Sequence, residues 1–188
     1  MKVSVSVKLI LGRIASIGLL VVLSAQPASA SEKWRDLVEA AGYAYQANRA
    51  VQAQQLLEEA VGHTEPGTEA RAAVLNNLAV VLEANGFLDA AETLYGQVIG
   101  IWAKVLGPDH QNVSRTLGNL GDLHHRRGEL DKAVEAYEVA IATIAGATTA
   151  DALEVRRALH NNYARVLTEM GRDKEADAAR QKAFPPGN

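Results

Sequence analysis

From about residue 34 onward the chain sets apolar positions among polar ones at helical spacing, in paired segments divided by a glycine. Leu75, Leu78, Ala79 and Leu82 fall on one side of a helix. After Gly86 a second run places Leu88, Ala91, Leu94, Tyr95 and Val98 on one side of another. The pairing then recurs. Leu75-Asn76-Asn77-Leu78-Ala79 returns as Leu117-Gly118-Asn119-Leu120-Gly121, and again as His160-Asn161-Asn162-Tyr163-Ala164. At the same distance past each block stand Gly86, Gly128 and Gly171, and Tyr95 and Tyr137 are separated by the same interval as the first two blocks. A period slightly above forty belongs to solenoids, whose units stack because none can bury its apolar face alone. The pattern predicts an all-α solenoid of about four helical hairpins.

The glycines fall where the first helix of each pair must stop and the chain turn. Ala79, Gly121 and Ala164 share one register and Ala91, Ala133 and Ala176 another, small residues that let paired helices approach closely. Trp34 to Ala60 fits the register more loosely, with Leu37, Ala40, Ala41 and Ala44 on a first helix and Ala53, Leu57 and Ala60 on a second. It reads as a degenerate terminal unit. Repeats are expected at roughly 34–62, 70–106, 112–146 and 153–184, within a domain of 31–184 followed by a tail of 185–188. Pro66-Gly67 marks a loop, with Thr68 the expected cap of the next helix. Asp109, after Gly107-Pro108, is the expected cap of another, and Asp151-Ala152-Leu153-Glu154 has the capping-box spacing that would open the last repeat. Trp102 is expected to pack against the following repeat. Gly118 stands where the other units have Asn76 and Asn161 and costs a helix about 1 kcal/mol relative to Ala. A pit for a ligand side chain and drift on a tolerant face are the two readings open for it.

With these residues the segment from about Arg71 to Phe184 resembles the tetratricopeptide repeat (TPR) family. More narrowly, Leu-Asn-Asn-Leu-Ala, the Ala91-Glu92-Thr93-Leu94-Tyr95 run and Leu106-Gly107-Pro108-Asp109-His110 are similar to the longer repeat of the kinesin-light-chain type. Gln111, Gly118 and Arg180 depart from that pattern, Arg180 by replacing the downstream aromatic. The resemblance implies a right-handed TPR solenoid whose first helices line a concave groove that receives an extended peptide or a partner protein.

Positions 1–30 differ in composition from the rest. Lys2, Lys8 and Arg13 precede the apolar run Ile14 to Ala25, and Ala28-Ser29-Ala30 supplies a small-x-small end, the three parts of a secretory signal peptide. The apolar core is shorter than the roughly 20 residues a membrane span needs. An uncleaved anchor starting near Val3 is the competing reading. There is no cysteine, which excludes a lipidated N-terminal cysteine, a disulfide framework and thiolate chemistry. Residues 31–188 carry 16 Lys and Arg against 22 Asp and Glu, a net charge of −6, which disfavours nucleic acid and anionic membranes as partners. The expectation is a periplasmic or secreted protein. After Phe184 the chain ends in Pro185-Pro186-Gly187-Asn188, leaving no further helix to cover the last pair, so a homodimer through an uncapped C-terminal repeat is a further expectation.

Given the groove that the resemblance implies, helical spacing selects the residues that would face it: Asn76 and Asn77 in one repeat, Arg115, Asn119, Asp122, His125 and Arg126 in the next, and Asn161, Asn162 and Arg165 in the last. Asn77, Asn119 and Asn162 fall in strict register. Amides in such a ladder pair with the backbone of a bound peptide or bond between neighbouring helices, and both readings stand at this point. Arginines read carboxylates bidentately, although Asp122, one helical turn before Arg126, offers that arginine a partner on its own helix. Tyr45 is the aromatic best placed where the groove begins. His124 and His125 project about 100° apart on a helix and make no metal-binding spacing; His124 and His160 occupy positions that are Leu elsewhere and read as structural. No metal or cofactor is expected. No nucleophile with a base, phosphate loop or separated carboxylate pair asks for catalysis. Asn112-Val113-Ser114 matches a glycosylation acceptor at a helix start. The sequence therefore points to a non-catalytic protein-interaction module, an adaptor or scaffold of the bacterial envelope. The alternative is a structural subunit that assembles through its ends.

Overall fold

The computed structural model describes residues 33–183, so the expected signal peptide, Phe184 and the 185–188 tail lie outside the described residues. The described residues form eight helices: α1 (Lys33–Gln46), α2 (Ala50–Gly62), α3 (Glu69–Ala84), α4 (Leu88–Leu106), α5 (Gln111–Arg126), α6 (Leu130–Thr143), α7 (Ala150–Glu169) and α8 (Asp173–Ala183). Consecutive helices pair as hairpins, and the hairpins stack through α2 on α3, α4 on α5 and α6 on α7. The odd-numbered helices also touch one another along the array, whereas the even-numbered ones do not. The first helices are thus the more closely spaced layer, and the array curves with α1, α3, α5 and α7 on its concave side. None of the described helices is long and apolar enough to cross a membrane.

Each hairpin turn is the same device. The residue two past the helix end adopts positive φ at Gly86 (85°), Gly128 (75°) and Gly171 (71°), which a side chain would strain. The following backbone N–H then reaches back along the helix: Phe87 to Leu82, Glu129 to His124 and Arg172 to Leu167, all at 2.9 Å. The degenerate first repeat does this with Asn48 at φ 60°, and Arg49 bonds to Ala44 at 2.9 Å. Asparagine is among the few residues with a side chain that tolerate this region.

Of the three helix caps expected from the sequence, one stands and two are corrected. Thr68 caps α3 as expected, accepting from the Arg71 N–H at 3.2 Å. The cap of α5 is His110, whose Nδ1 accepts from the Asn112 N–H at 3.2 Å, in place of Asp109. The cap of α7 is Thr149, accepting from the Ala152 N–H at 3.2 Å, so Asp151 lies inside the first turn and no capping box forms.

Burial follows position in the stack. On α3, enclosed between neighbours, every residue from Ala72 to Glu83 is buried. Trp102, 1% exposed at the lengthened end of α4, packs with Val113 and Leu117 of the next repeat. A Cβ on Gly121 would sit 3.0 Å from the Tyr137 ring, so the close approach expected there is real. Gly118 proves to be neither a ligand pit nor a tolerant surface: it is buried, and its Cβ would lie 2.5 Å from Leu159 Cδ2 of α7. At the C-terminal end, α8 exposes Asp173, Lys174, Glu175, Asp177, Arg180 and Lys182 and carries no large exposed hydrophobic side chain. Arg180 donates to Thr168 Oγ1 at 2.8 Å. The described outer face of α8 is therefore polar.

Candidate functional site: a pocket on the concave face

The four concave helices enclose a pocket of about 250 Å³. Tyr45 of α1 with Val80 and Ala84 of α3 form its less polar wall. Glu83 of α3, Tyr95 of α4, Asn119, Asp122, His125 and Arg126 of α5, and Arg165 of α7 form the rest. Five of the residues expected to meet a partner, Asn119, Asp122, His125, Arg126 and Arg165, converge here, and Tyr45 stands where the groove begins.

The other expected residues are placed differently. Asn76 and Asn77 are each 1% exposed and face the helix interface. Asn119 Nδ2 and Thr116 Oγ1 both donate to Asn76 Oδ1 at 3.3 Å, so this amide joins α3 to α5. The residue of the next repeat corresponding to Asn76 is Gly118, which has no side chain to offer. Asn162 accordingly donates to Asp122 Oδ1 and Oδ2, both at 3.3 Å. In α1 the corresponding residue is Val38, and the side-chain amide of Asn77 is buried without a hydrogen-bond partner. Of the asparagine ladder, Asn119 and Asn162 bond to the preceding repeat, whereas Asn77 is enclosed without such a bond. Arg115 is half-buried near the start of α5, where Nη1 donates to Asn112 Oδ1 at 3.5 Å, and Asn161 is exposed outside the pocket lining.

Two carboxylates organise the pocket, Glu83 buried and Asp122 half-buried. Glu83 Oε2 accepts from the Tyr95 hydroxyl at 2.9 Å, while Oε1 faces Arg126 Nε at 3.2 Å. Asp122 Oδ1 accepts from the Tyr137 hydroxyl at 2.6 Å and from Arg165 Nη2 at 3.3 Å. Burial pushes both carboxyls above the ordinary range, against the opposing pull of these partners. Burial and the adjacent carboxylates push the Tyr95 and Tyr137 hydroxyls upward, so both remain protonated donors. Arg165 Nη2 also donates to His125 Nδ1 at 3.5 Å, which leaves the ring hydrogen on Nε2 to be donated to Glu169 Oε2 at 2.5 Å. The arginine side chains stay 47% (Arg126) and 42% (Arg165) exposed, although Arg165 Nε is itself buried without a hydrogen-bond partner.

Sequence spacing points to Arg126, Arg165 and Asp122 but not to the pairing across repeats that holds the two arginines. A signal was present: Glu83 with Arg126 and Asp122 with Arg165 are each 43 residues apart, a complementary pair at about one repeat. Asp122, not Arg126's partner on its own helix, belongs to Arg165 across the repeat interface. His124 and His160 are buried as expected, His124 Nδ1 bonding to Glu129 Oε2 at 2.7 Å. Among the described residues no group of three His, Asp or Glu side chains could hold a metal ion. Ser114 is buried and donates to the Ala140 carbonyl at 2.7 Å, which locks the glycosylation-like triplet into α5.

A family model of the tetratricopeptide repeat matches residues 70–144, from α3 through α6. Those residues match the tetratricopeptide repeat. The TPR fold extends over most of the chain's length: BtubC (BKLC) from P. vanneervenii aligns with a TM-score of 0.71 at 19% identity, over 81% of this chain and 65% of that one. A Podosopora anserina kinesin-light-chain-type protein with nearly identical TPR-like repeats aligns at 0.59 and 21% identity, over 83% and 95% of the two chains. Pseudomonas aeruginosa pilF aligns at 0.63 and 17% identity, over 83% and 62%. The chain thus spans less than two thirds of BtubC and of pilF, and at these identities the TPR likeness shows the fold. No curated protein matches it.

Proposed function

We propose that this TPR array is a non-catalytic protein-interaction module that holds an extended peptide or partner segment in the concave pocket. One observation carries the reading: Arg126 and Arg165 are each anchored to a carboxylate, yet keep about half of the side chain exposed on a shared concave wall. A guanidinium fixed by one contact loses less freedom when its other donors meet a ligand carboxylate or carbonyl. Tyr45 and Val80 give an apolar neighbour for a ligand side chain. The export pattern of positions 1–30 extends the proposal to an adaptor or scaffold of the bacterial envelope, periplasmic or secreted.

Random-peptide selection on the immobilised chain, counter-screened on Arg126→Ala/Arg165→Ala, tests this. Selected peptides are expected to compete with one another and to bind the double variant at least about tenfold more weakly, with circular dichroism unchanged. Peptides that bind both forms equally would remove the pocket from the account. One observation favours a second reading, assembly through the array's end. Tyr43 on α1 is 63% exposed, whereas its counterparts Val81, Leu123 and Val166 are at most 1% exposed. Leu123 is buried in the cluster formed with α1 to α4, so Tyr43 marks the face that a preceding unit would cover.

A further inference from the structure

We propose that Tyr95 and Tyr137 are positioning residues for the two pocket arginines, each acting through a carboxylate, so that the chain presents Arg126 and Arg165 by one device built twice. The proposal rests on the reading of the pocket as a ligand site. In each copy a tyrosine on the second helix of one repeat donates to a carboxylate on that repeat's first helix, and the carboxylate receives an arginine from the first helix of the next repeat. The contacts are Tyr95 to Glu83 to Arg126, at 2.9 and 3.2 Å, and Tyr137 to Asp122 to Arg165, at 2.6 and 3.3 Å.

Repetition of the sequence does not by itself produce this. The tyrosines occupy equivalent positions in successive repeats, but the other members do not. The counterpart of Glu83 is His125, and the counterpart of Asp122 in the preceding repeat is Val80. Arg126 corresponds to Glu169, and Arg165 corresponds to Asp122 itself. Carboxylate and arginine have both moved about one helical turn toward the N-terminus from the first copy to the second. The shorter Asp replaces the longer Glu, and the connection is re-made. A general packing demand would be met by the same residues at the same register. A connection kept while its residues shift together points to a demand on what the arginines do.

The chemistry fits a holding role. Each hydroxyl bond fixes the orientation of its carboxylate: Tyr95 and Arg126 take different oxygens of Glu83, and Tyr137 and Arg165 meet on Asp122 Oδ1. Arg126 is tied by Nε and, through Nη1, to the Glu83 carbonyl at 3.5 Å, while Arg165 is tied by Nη2 to Asp122 and His125. Tyr163 provides a comparison: its hydroxyl donates to Glu138 Oε1 at 2.7 Å, a bond of the same kind that involves neither arginine.

The test uses the whole chain, labelled with nitrogen-15, and reads the side-chain Nε–H resonances of its arginines in wild type, Tyr95→Phe, Tyr137→Phe and the control Tyr163→Phe. Loss of the hydroxyl in Tyr95→Phe is expected to shift the Arg126 resonance and speed its hydrogen exchange about three- to tenfold, the effect of one lost hydrogen bond, while Arg165 stays unchanged. Tyr137→Phe should move Arg165 and spare Arg126, and Tyr163→Phe should move neither. Glu83→Gln and Asp122→Asn act on the same two connections without touching either ring, and should reproduce the selective shifts if a tyrosine variant fails to fold. Unchanged arginine signals in Tyr95→Phe and Tyr137→Phe, or both arginines moving together in each, would overturn the proposal. Selective shifts in a wild type that selects no peptide would uphold the positioning role and overturn the pocket reading.

Discussion

Withdrawing a carboxylate from water is costly, and at one pocket this chain keeps Glu83 buried and Asp122 half-buried. Burial raises the folded-state pKa of Glu83 and of Asp122 above the ordinary carboxyl value. Between the unfolded and the raised folded value the native chain holds protons that the unfolded chain has released. These groups therefore add stability as pH falls through that window and subtract it as pH rises. Glu83→Gln should gain relative to wild type at neutral pH and lose that advantage toward pH 4, as measured by urea unfolding at a series of pH values; an advantage that grows on acidification would show that the burial account is wrong. The two helical glycines make a separate contrast. Gly121→Ala pushes a methyl against the Tyr137 ring at 3.0 Å and should destabilise by about 1–2 kcal/mol after its helix-propensity gain. Gly118→Ala meets only the flexible end of Leu159 and should fall within about 1 kcal/mol of wild type by thermal unfolding. Sequence spacing places Arg126 and Arg165 correctly on the groove side, but whether an amide on that side is displayed or enclosed depends on the neighbour facing it. Asn76 meets Asn119 and Thr116, and Asn77 meets the apolar α1, so both are lost to the groove.

At the scale of elements, the helices and their turns were legible because apolar spacing and positive-φ glycines are local. The Asn48 turn was not, since asparagine is a weaker signal than glycine for the same geometry. The caps His110 and Thr149 were missed because each lies one or two residues from a more conventional candidate, and the chain path into the helix chose between them. Gly128→Ala should cost about 1–2 kcal/mol through its left-handed conformation, as read by thermal unfolding. The contacts between hairpins vary in kind at one repeated place. Asn85 donates to Gln54 at 3.0 Å, Arg127 to Glu92 at 2.5 Å, and at the corresponding positions Met170 packs on the cluster that contains Val134. Amide, ion pair and apolar contact do not interchange, so each junction accepts its own neighbour. Arg127→Glu should lower stability by up to about 1 kcal/mol, because the partners are largely solvent-exposed, and adding Glu92→Arg should recover part of it in a double-mutant cycle.

Across the whole molecule, stability is a sum of hairpins and junctions, and burial runs unevenly along it. The enclosed α3 should hold the slowest-exchanging amides and the polar terminal α8 among the fastest, a gradient that native-state hydrogen exchange would display. That unevenness explains why the sequence revealed the solenoid but less of its use: repetition announces stacking, whereas the pocket is written in the residues that break the repeat, Glu83, Asp122, Arg126 and Arg165. The most direct measurement is chemical-shift mapping of the chain with a peptide selected on it. The account predicts perturbations clustered on Tyr45, Glu83, Asn119, His125 and Arg165, at the concave pocket. Perturbations centred on Tyr43 and the outer face of α1, or on α2, α4 and α6, would contradict it and move the working surface to the end or the convex side of the array.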